Sequence, residues 1–229
     1  MALALLLAAG CKNRPGGTGT DSPVQDTTAV RTGIDPADST AAVKASATLP
    51  EEPVFDIVTN MGTIKVRLYK DTPRHRDNFE KLALSGYYDS LLFHRVIREF
   101  MIQGGDPYTR DTSSAAVQMY GQGGPGYTIP AEIVRDETGA PIHRHKKGAL
   151  AAARRGDAAN PLKESSGSQF YIVHNPDNCV HLDGEYTVFG EVVAGFNVID
   201  KIAAVKTGRM DLPVREVRIQ SIRPDEELN

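Results

Sequence analysis

A chain of 229 residues with 26 Lys and Arg against 29 Asp and Glu, a formal charge of −3, 24% charged and 40% hydrophobic residues and no Trp has an ordinary globular composition. That excludes collagen-like, wholly disordered and coiled-coil architectures. The slight negative charge gives no broad attraction for phosphate backbones, so nucleic-acid binding would need a local basic patch, and the length allows one domain with a tail or two small domains.

Residues 1–10 are all apolar or small. The run is far shorter than the roughly 20 residues of a membrane-spanning helix, and it has the length of the apolar region of a secretory signal. Leu7-Ala8-Ala9-Gly10-Cys11 resembles the lipobox of bacterial lipoproteins, which implies removal of residues 1–10 and acylation of Cys11. The other cysteine, Cys179, then has no intramolecular partner and reads as a packing or surface residue. Residues 11–53 are rich in Gly, Thr, Ser, Asp, Ala and Pro and carry no apolar periodicity. Such a composition buries too little surface to offset its ordering entropy, so a flexible tether is expected. About 40 residues of this kind span roughly 35 Å. The expected location is the bacterial cell envelope, periplasmic or outer-membrane-associated, with a folded domain over residues 54–229 held near a membrane.

That domain opens with a hairpin. Phe55-Asp56-Ile57-Val58-Thr59 and Thr63-Ile64-Lys65-Val66-Arg67-Leu68-Tyr69 flank the turn residues Asn60-Met61-Gly62, and Ile64, Val66 and Leu68 alternate with Lys65 and Arg67. A helix follows, with Thr72 as N-cap, Pro73 in the first turn, Phe79, Leu82 and Ala83 on one face and Gly86 as the stop. Short strands are expected at Leu91–Phe93, Phe100–Gln103, Gly148–Ala153, Gln169–Val173 and Val188–Val193. A second helix carries Val198, Ile199, Ile202 and Ala203, before a last alternating strand over Val214–Ile222. Many short strands, Gly-rich turns and two distant helices point to an antiparallel sandwich or barrel.

Within Phe93-His94-Arg95-Val96-Ile97-Arg98-Glu99-Phe100-Met101-Ile102-Gln103-Gly104-Gly105-Asp106, an Arg and a Gln stand among aromatic and aliphatic residues. This stretch resembles the signature of the cyclophilin family of peptidyl-prolyl cis/trans isomerases. Asn78-Phe79, Ser166-Gly167-Ser168-Gln169-Phe170-Tyr171, and Leu182-Asp183-Gly184 through Val188-Phe189-Gly190 agree with it in order. The resemblance runs from Phe55 to the C-terminus. It implies a mainly β fold, a closed eight-stranded antiparallel β-barrel capped by two α-helices.

Rotation about an X-Pro bond must break amide resonance, against a barrier of roughly 18–20 kcal/mol. No covalent bond changes, so no nucleophile, metal or cofactor is expected. What helps is an apolar pocket for the proline ring and a donor to the prolyl nitrogen as its lone pair localises. The resemblance makes Arg95 the catalytic donor. Phe100, Met101, Tyr171 and Leu182 would line the proline pocket, and Gln103 would bond the substrate backbone. Ala153 and Arg154 would flank the residue before proline, Gln169 would support Arg95 or the substrate, and Tyr186 would complete the substrate-binding set. His181 stands where many eukaryotic members have Trp, which argues against high affinity for the cyclic peptide cyclosporin. Tyr171 replaces the usual Phe, Arg154 a common Asn, and Tyr186 a common His. The longer loop between Gly156 and Gly167 resembles bacterial members and is expected to shape one end of the groove. Expected partners are proline-containing and unfolded exported polypeptides, acted on by a monomer.

Other constellations are weaker. Gly121-Gln122-Gly123-Gly124-Pro125-Gly126 lacks the Lys-Ser/Thr of a phosphate loop. His143-Arg144-His145-Lys146-Lys147 reads as a solvated basic loop. His94, Asp106 and Ser168 supply the letters of a hydrolase triad without a nucleophile elbow, and His143 and His145 lack zinc-site spacing. The alternative from another class is a module that binds proline-containing peptides with incidental turnover.

Overall fold

The computed structural model describes residues 49–229. The apolar segment 1–10, Cys11 and nearly all of the proposed tether lie outside the described residues. No helix among those described is long and apolar enough to cross a membrane.

The hairpin forms as the alternation requires. Strand β1 (Val54–Thr59) pairs antiparallel with β2 (Gly62–Leu68), Ile57 opposite Ile64 and Thr59 opposite Gly62. Helix α1 (Pro73–Leu84) follows, then β3 (Arg95–Ile97), β4 (Met101–Gly104), a single helical turn α2 (Ser114–Val117) and β5 (Thr128–Ile129). The chain continues through β6 (Ala149–Arg154), β7 (Ser165–Val173), β8 (Val188–Ala194), helix α3 (Phe196–Ala203) and β9 (Ile219–Pro224). Every strand pairing is antiparallel, and eight strands run in the order β3-β4-β7-β6-β8-β2-β1-β9, with β5 added to β7. The fold is mainly β. Near the two ends of that order, Leu92 bridges Arg218, and the Phe93 N–H donates to the Val217 carbonyl at 2.9 Å.

Three expectations change in detail. Leu91–Phe93 forms an isolated bridge rather than a strand, and regular pairing in the last segment begins only at Ile219. Thr72 occupies the N-cap of α1 without capping it: its hydroxyl turns back to the Tyr69 carbonyl at 3.3 Å. The cap comes from a distant residue, Glu132, whose carboxylate accepts from the N–H groups of Arg74 (3.0 Å) and His75 (2.9 Å). A carboxylate satisfies two orphan donors and complements the helix dipole, which a hydroxyl does less well.

The core follows from the period of two. Phe55, Ile57, Ile64, Val66, Val96, Ile102, Leu150, Phe170 and Ile172 are buried on the inner face, where Phe79, Leu82 and Ala83 of α1 and Val198, Ile199 and Ile202 of α3 join them. The Phe79 ring meets those of Phe55, Tyr88, Phe170 and Phe189 at centroid distances of 5.2–5.9 Å. At the far end of the chain Asp225, 1% exposed, accepts from Lys65, which also reaches Asp56 at 3.4 Å. The hydrogen bond from Lys65 holds the Asp225 carboxyl down at about 2. A carboxyl whose folded value is depressed contributes stability above its unfolded value, and that contribution is lost as pH falls through the folded value. Melting temperature is therefore expected to decline below about pH 4, the ordinary carboxylate value, and the decline should be shallower in Asp225→Asn, as calorimetry against pH would show.

Candidate active site

Residues of the inner face alternate with those that build the site. Arg95 of β3 pairs with Gln103 of β4, Gln103 with Tyr171 of β7, and Tyr171 with Ala151 of β6, so one row crosses four strands on the outer face. Met101 lies two residues from Gln103 and shares that face. A register slip of one residue would turn all of them into the core. The segment after β7 folds back over this face and supplies Leu182 and Tyr186, and a second apolar cluster forms there from Met101, Ala151, Tyr171, Val173, Cys179, Leu182 and Val188.

The result is a pocket of about 110 Å³ lined by Arg95, Phe100, Met101, Gln103, Ala153, Arg154, Tyr171, Leu182 and Tyr186. Nine of the ten side chains singled out in the sequence thus meet around one cavity. The tenth, Gln169, lies in an adjoining groove of about 670 Å³, which it shares with Gln103, Ala153 and Arg154. Glycines 121, 123, 124 and 126 form part of its wall, as do Asn160 and Glu164 of the long loop. A third cavity, about 370 Å³, lies against Arg95 and Gln103 on the side of residues 208–214.

One directional chain of hydrogen bonds holds the polar side. Arg95 Nη1 donates to Gln103 Oε1 (3.4 Å), Gln103 Nε2 to Gln169 Oε1 (3.1 Å), and Gln169 Nε2 to the Gly123 carbonyl (2.8 Å). Because a guanidinium has no acceptor, Arg95 fixes the orientation of Gln103, which fixes that of Gln169. Gln169 therefore reaches Arg95 through Gln103 and not by direct contact. Gln169→Leu removes both amide bonds and is expected to lower kcat/KM for a proline peptide by about tenfold, the scale of one net hydrogen bond to a partly buried partner. A peptide isomerisation assay reads it directly.

The far end of the chain is anchored by Asp106. Its buried carboxylate accepts from the N–H groups of Gly121 (2.5 Å), Gly123 (3.1 Å) and Tyr108 (2.8 Å). A Cβ on Gly123 would stand 2.1 Å from Asp106 Oδ1, so this approach admits no side chain. The Gly-rich segment is thus a carbonyl-bearing wall of the groove and not a phosphate loop. Asp106 has no triad partners either: Ser168 Oγ donates to the Gly105 carbonyl, and neither ring nitrogen of His94 has a partner among the described residues.

Asp211, which no sequence pattern marked, sits 3.5 Å from Arg95 Nε. Its backbone lies in the left-handed region at φ 58°, beside Met210 at φ 61°, a local geometry that leaves no signature in composition or periodicity. Arg95 is thereby held at Nε and Nη1, and no bond from Nη2 to another described residue is present. Arg154 is 4% exposed in its side chain and fully engaged. It donates to the Glu185 carbonyl (3.1 Å) and to Asp157 (2.5 Å), and its guanidinium lies 4.3 Å from the Tyr186 ring centroid. It is a wall with its charge matched. His181 stacks on Phe100 at 6.4 Å, and burial pushes the Cys179 thiol up to about 11, so it packs as a neutral group.

The basic run departs from a solvated loop at its middle residue. His145 is only 3% exposed, bonded to Asp183 and Tyr171, and only its neighbours face solvent. Its position in a run of charges concealed a burial that depends on the fold.

Comparison with known proteins places this geometry. The family model described as "Cyclophilin type peptidyl-prolyl cis-trans isomerase/CLD" matches residues 54–224. The chain is 37% identical over 165 residues to peptidyl-prolyl cis-trans isomerase CYP18-1 of Arabidopsis thaliana, covering 72% of this chain and 91% of that protein. It is 38% identical over 168 residues to peptidyl-prolyl cis-trans isomerase-like 2 of Rhizopus delemar, covering 73% of this chain and only 28% of that longer protein. Among solved structures, a cyclophilin type peptidyl-prolyl cis-trans isomerase of Cryptosporidium parvum superposes with a TM-score of 0.64 at 29% identity, covering 77% of this chain and 99% of that one. These relatives are eukaryotic. With the family model covering the whole outer-face row and helices α1 and α3, the chain belongs to the cyclophilin-type peptidyl-prolyl cis/trans isomerases.

Proposed function

We propose that the pocket between Arg95 and Tyr171 grips the proline ring and that Arg95 donates to the prolyl nitrogen as the amide twists. The observation that carries this reading is the placement of a half-exposed guanidinium, restrained at two of its donors, on the rim of a small apolar cavity. In the twisted amide the nitrogen lone pair no longer delocalises and becomes an acceptor, so a fixed donor binds the transition state better than the planar ground state. Phe100, Met101, Tyr171 and Leu182 exclude water from the ring, and Gln103, already oriented, bonds the substrate backbone. Ala153 and Arg154, shared by the pocket and the larger groove, flank the residue before proline. A second Cryptosporidium parvum structure, solved in the presence of the dipeptide Ala-Pro, supports a proline peptide as ligand of this fold. The contacts between Leu91–Phe93 and Val217–Ile219 serve as the seam of a closed barrel.

The proposed setting is the folding of exported proteins by a monomer of residues 54–229, tethered through residues 11–53 to a lipid on Cys11 in a bacterial envelope. Two experiments test this. Refolding of a protein limited by one X-Pro bond should accelerate in proportion to added enzyme, and an unchanged slow phase would contradict the folding role. Metabolic labelling with a radioactive fatty acid should mark the wild type and leave Cys11→Ser unlabelled; equal labelling, or none in either, would remove the anchor.

A further inference from the structure

The Tyr171 side of the pocket is held by a second directional chain. His145 Nε2 lies 2.8 Å from Tyr171 Oη, and His145 Nδ1 lies 2.8 Å from Asp183 Oδ1. The same carboxylate oxygen accepts the backbone N–H of His145 at 2.8 Å. An ionised carboxylate only accepts, so Nδ1 carries a proton; burial lowers the His145 pKa and favours the neutral ring, in which Nε2 is the acceptor and the Tyr171 hydroxyl donates. The imidazole lies within 10° of the plane of the Tyr171 ring at 5.9 Å, and Tyr186 meets that ring edge-on at 6.1 Å. Asp183 directly follows Leu182. The chain therefore joins Tyr171 on β7 to the turn that carries Leu182, two parts of the lining of one pocket that come from different parts of the chain.

We propose that His145 is a positioning residue for the isomerase reaction, a strut between Tyr171 and Asp183 that sets the width of the proline pocket. The inference rests on the reading of that cavity as the proline site. It also gives the Tyr171 hydroxyl a reason to be tolerated there: Tyr171 is 5% exposed, and without His145 its buried hydroxyl would have no partner and would draw the ring away from its present plane. The requirement for His145 is thus tied to the hydroxyl. With Phe in that place, no buried hydroxyl would demand it.

The test is a double-mutant cycle on the full-length protein, with kcat and KM for an Ala-Pro peptide measured by NMR exchange. His145→Leu in the wild-type background is expected to lower kcat/KM by about 5- to 100-fold, the range set by a buried hydroxyl left without a partner, and to act mainly through KM because the grip on the ring is lost. In the Tyr171→Phe background the same change is expected to cost less than about threefold. A merely structural need for His145 would not be relieved by deleting a hydroxyl, so an equal loss in both backgrounds overturns the proposal, as does wild-type kcat/KM in His145→Leu. Imidazole ¹⁵N shifts of the unmutated protein provide a second measurement that needs no folded variant. A proton on Nδ1 at pH 8 is expected, and a proton on Nε2 contradicts the chain. Wild-type protein that left exchange at the uncatalysed rate would instead overturn the reading on which the strut rests.

Discussion

Arg95→Ala is expected to lower kcat/KM for an Ala-Pro peptide by about 10²–10³-fold, the scale on which removal of one preorganised transition-state donor acts in other enzymes. The melting temperature should stay within about 2 °C, because the Arg95 side chain is 42% exposed and surface substitutions seldom change stability by more than about 0.5 kcal/mol. A factor of 10²–10³ corresponds to about 2.7–4 kcal/mol of differential binding. That is a part of the barrier lowering the proposed mechanism requires, and desolvation and the grip on the ring are expected to supply the rest. Arg95→Lys is expected to recover part of the rate at most. Its ammonium keeps the charge but not the planar fork that lets Arg95 bond Gln103 and Asp211 while presenting a further donor. NMR exchange and thermal melts on the same samples separate the two effects, and a loss below tenfold in Arg95→Ala would mean that the guanidinium is not the main donor.

Phe79→Ala should do the reverse. Phe79 is 2% exposed and its ring meets four others, so truncation leaves a cavity that a close-packed interior cannot readily fill. The expected cost is about 3–5 kcal/mol. For a domain of this size that lowers the melting temperature by roughly 6–20 °C. At 10 °C, where the protein remains folded, kcat/KM should stay within about threefold of wild type, since Phe79 faces the core and the site lies on the other face of the sheet. A full loss of activity in the folded variant would mean that core and site are not separable in this way.

The parts of this molecule that local physics dictates are legible in the sequence. Alternation of Ile64, Val66 and Leu68 with Lys65 and Arg67 is enough to give β2, and the spacing of Phe79, Leu82 and Ala83 is enough to give the buried face of α1. The pocket residues were legible by a different route, as a resemblance carried by four ordered segments, and nine of the ten meet at one cavity. What stayed hidden depends on distant partners. Thr72 has the chemistry of an N-cap, but the cap comes from Glu132, whose proximity only the fold creates. Leu91–Phe93 has strand composition yet pairs at a single bridge, Leu92 with Arg218, whose position far along the chain only the fold reveals. His145 looks solvated among Arg144, Lys146 and Lys147, and its burial against Tyr171 depends on the return of Asp183 after β7. Asp211 reaches Arg95 from a loop whose strained backbone has no sequence pattern.

The central claim is that this pocket lowers the barrier to X-Pro rotation and does not merely hold proline. Its most direct test is cis/trans exchange of a short Ala-Pro peptide, followed by NMR with catalytic amounts of the full chain carrying Cys11→Ser. Uncatalysed exchange takes tens to hundreds of seconds, and the predicted result is exchange accelerated to below about one second at micromolar protein, with the acceleration lost in Arg95→Ala. Saturable binding of the peptide with exchange still at the uncatalysed rate would contradict the account and leave a proline-peptide binding module in its place.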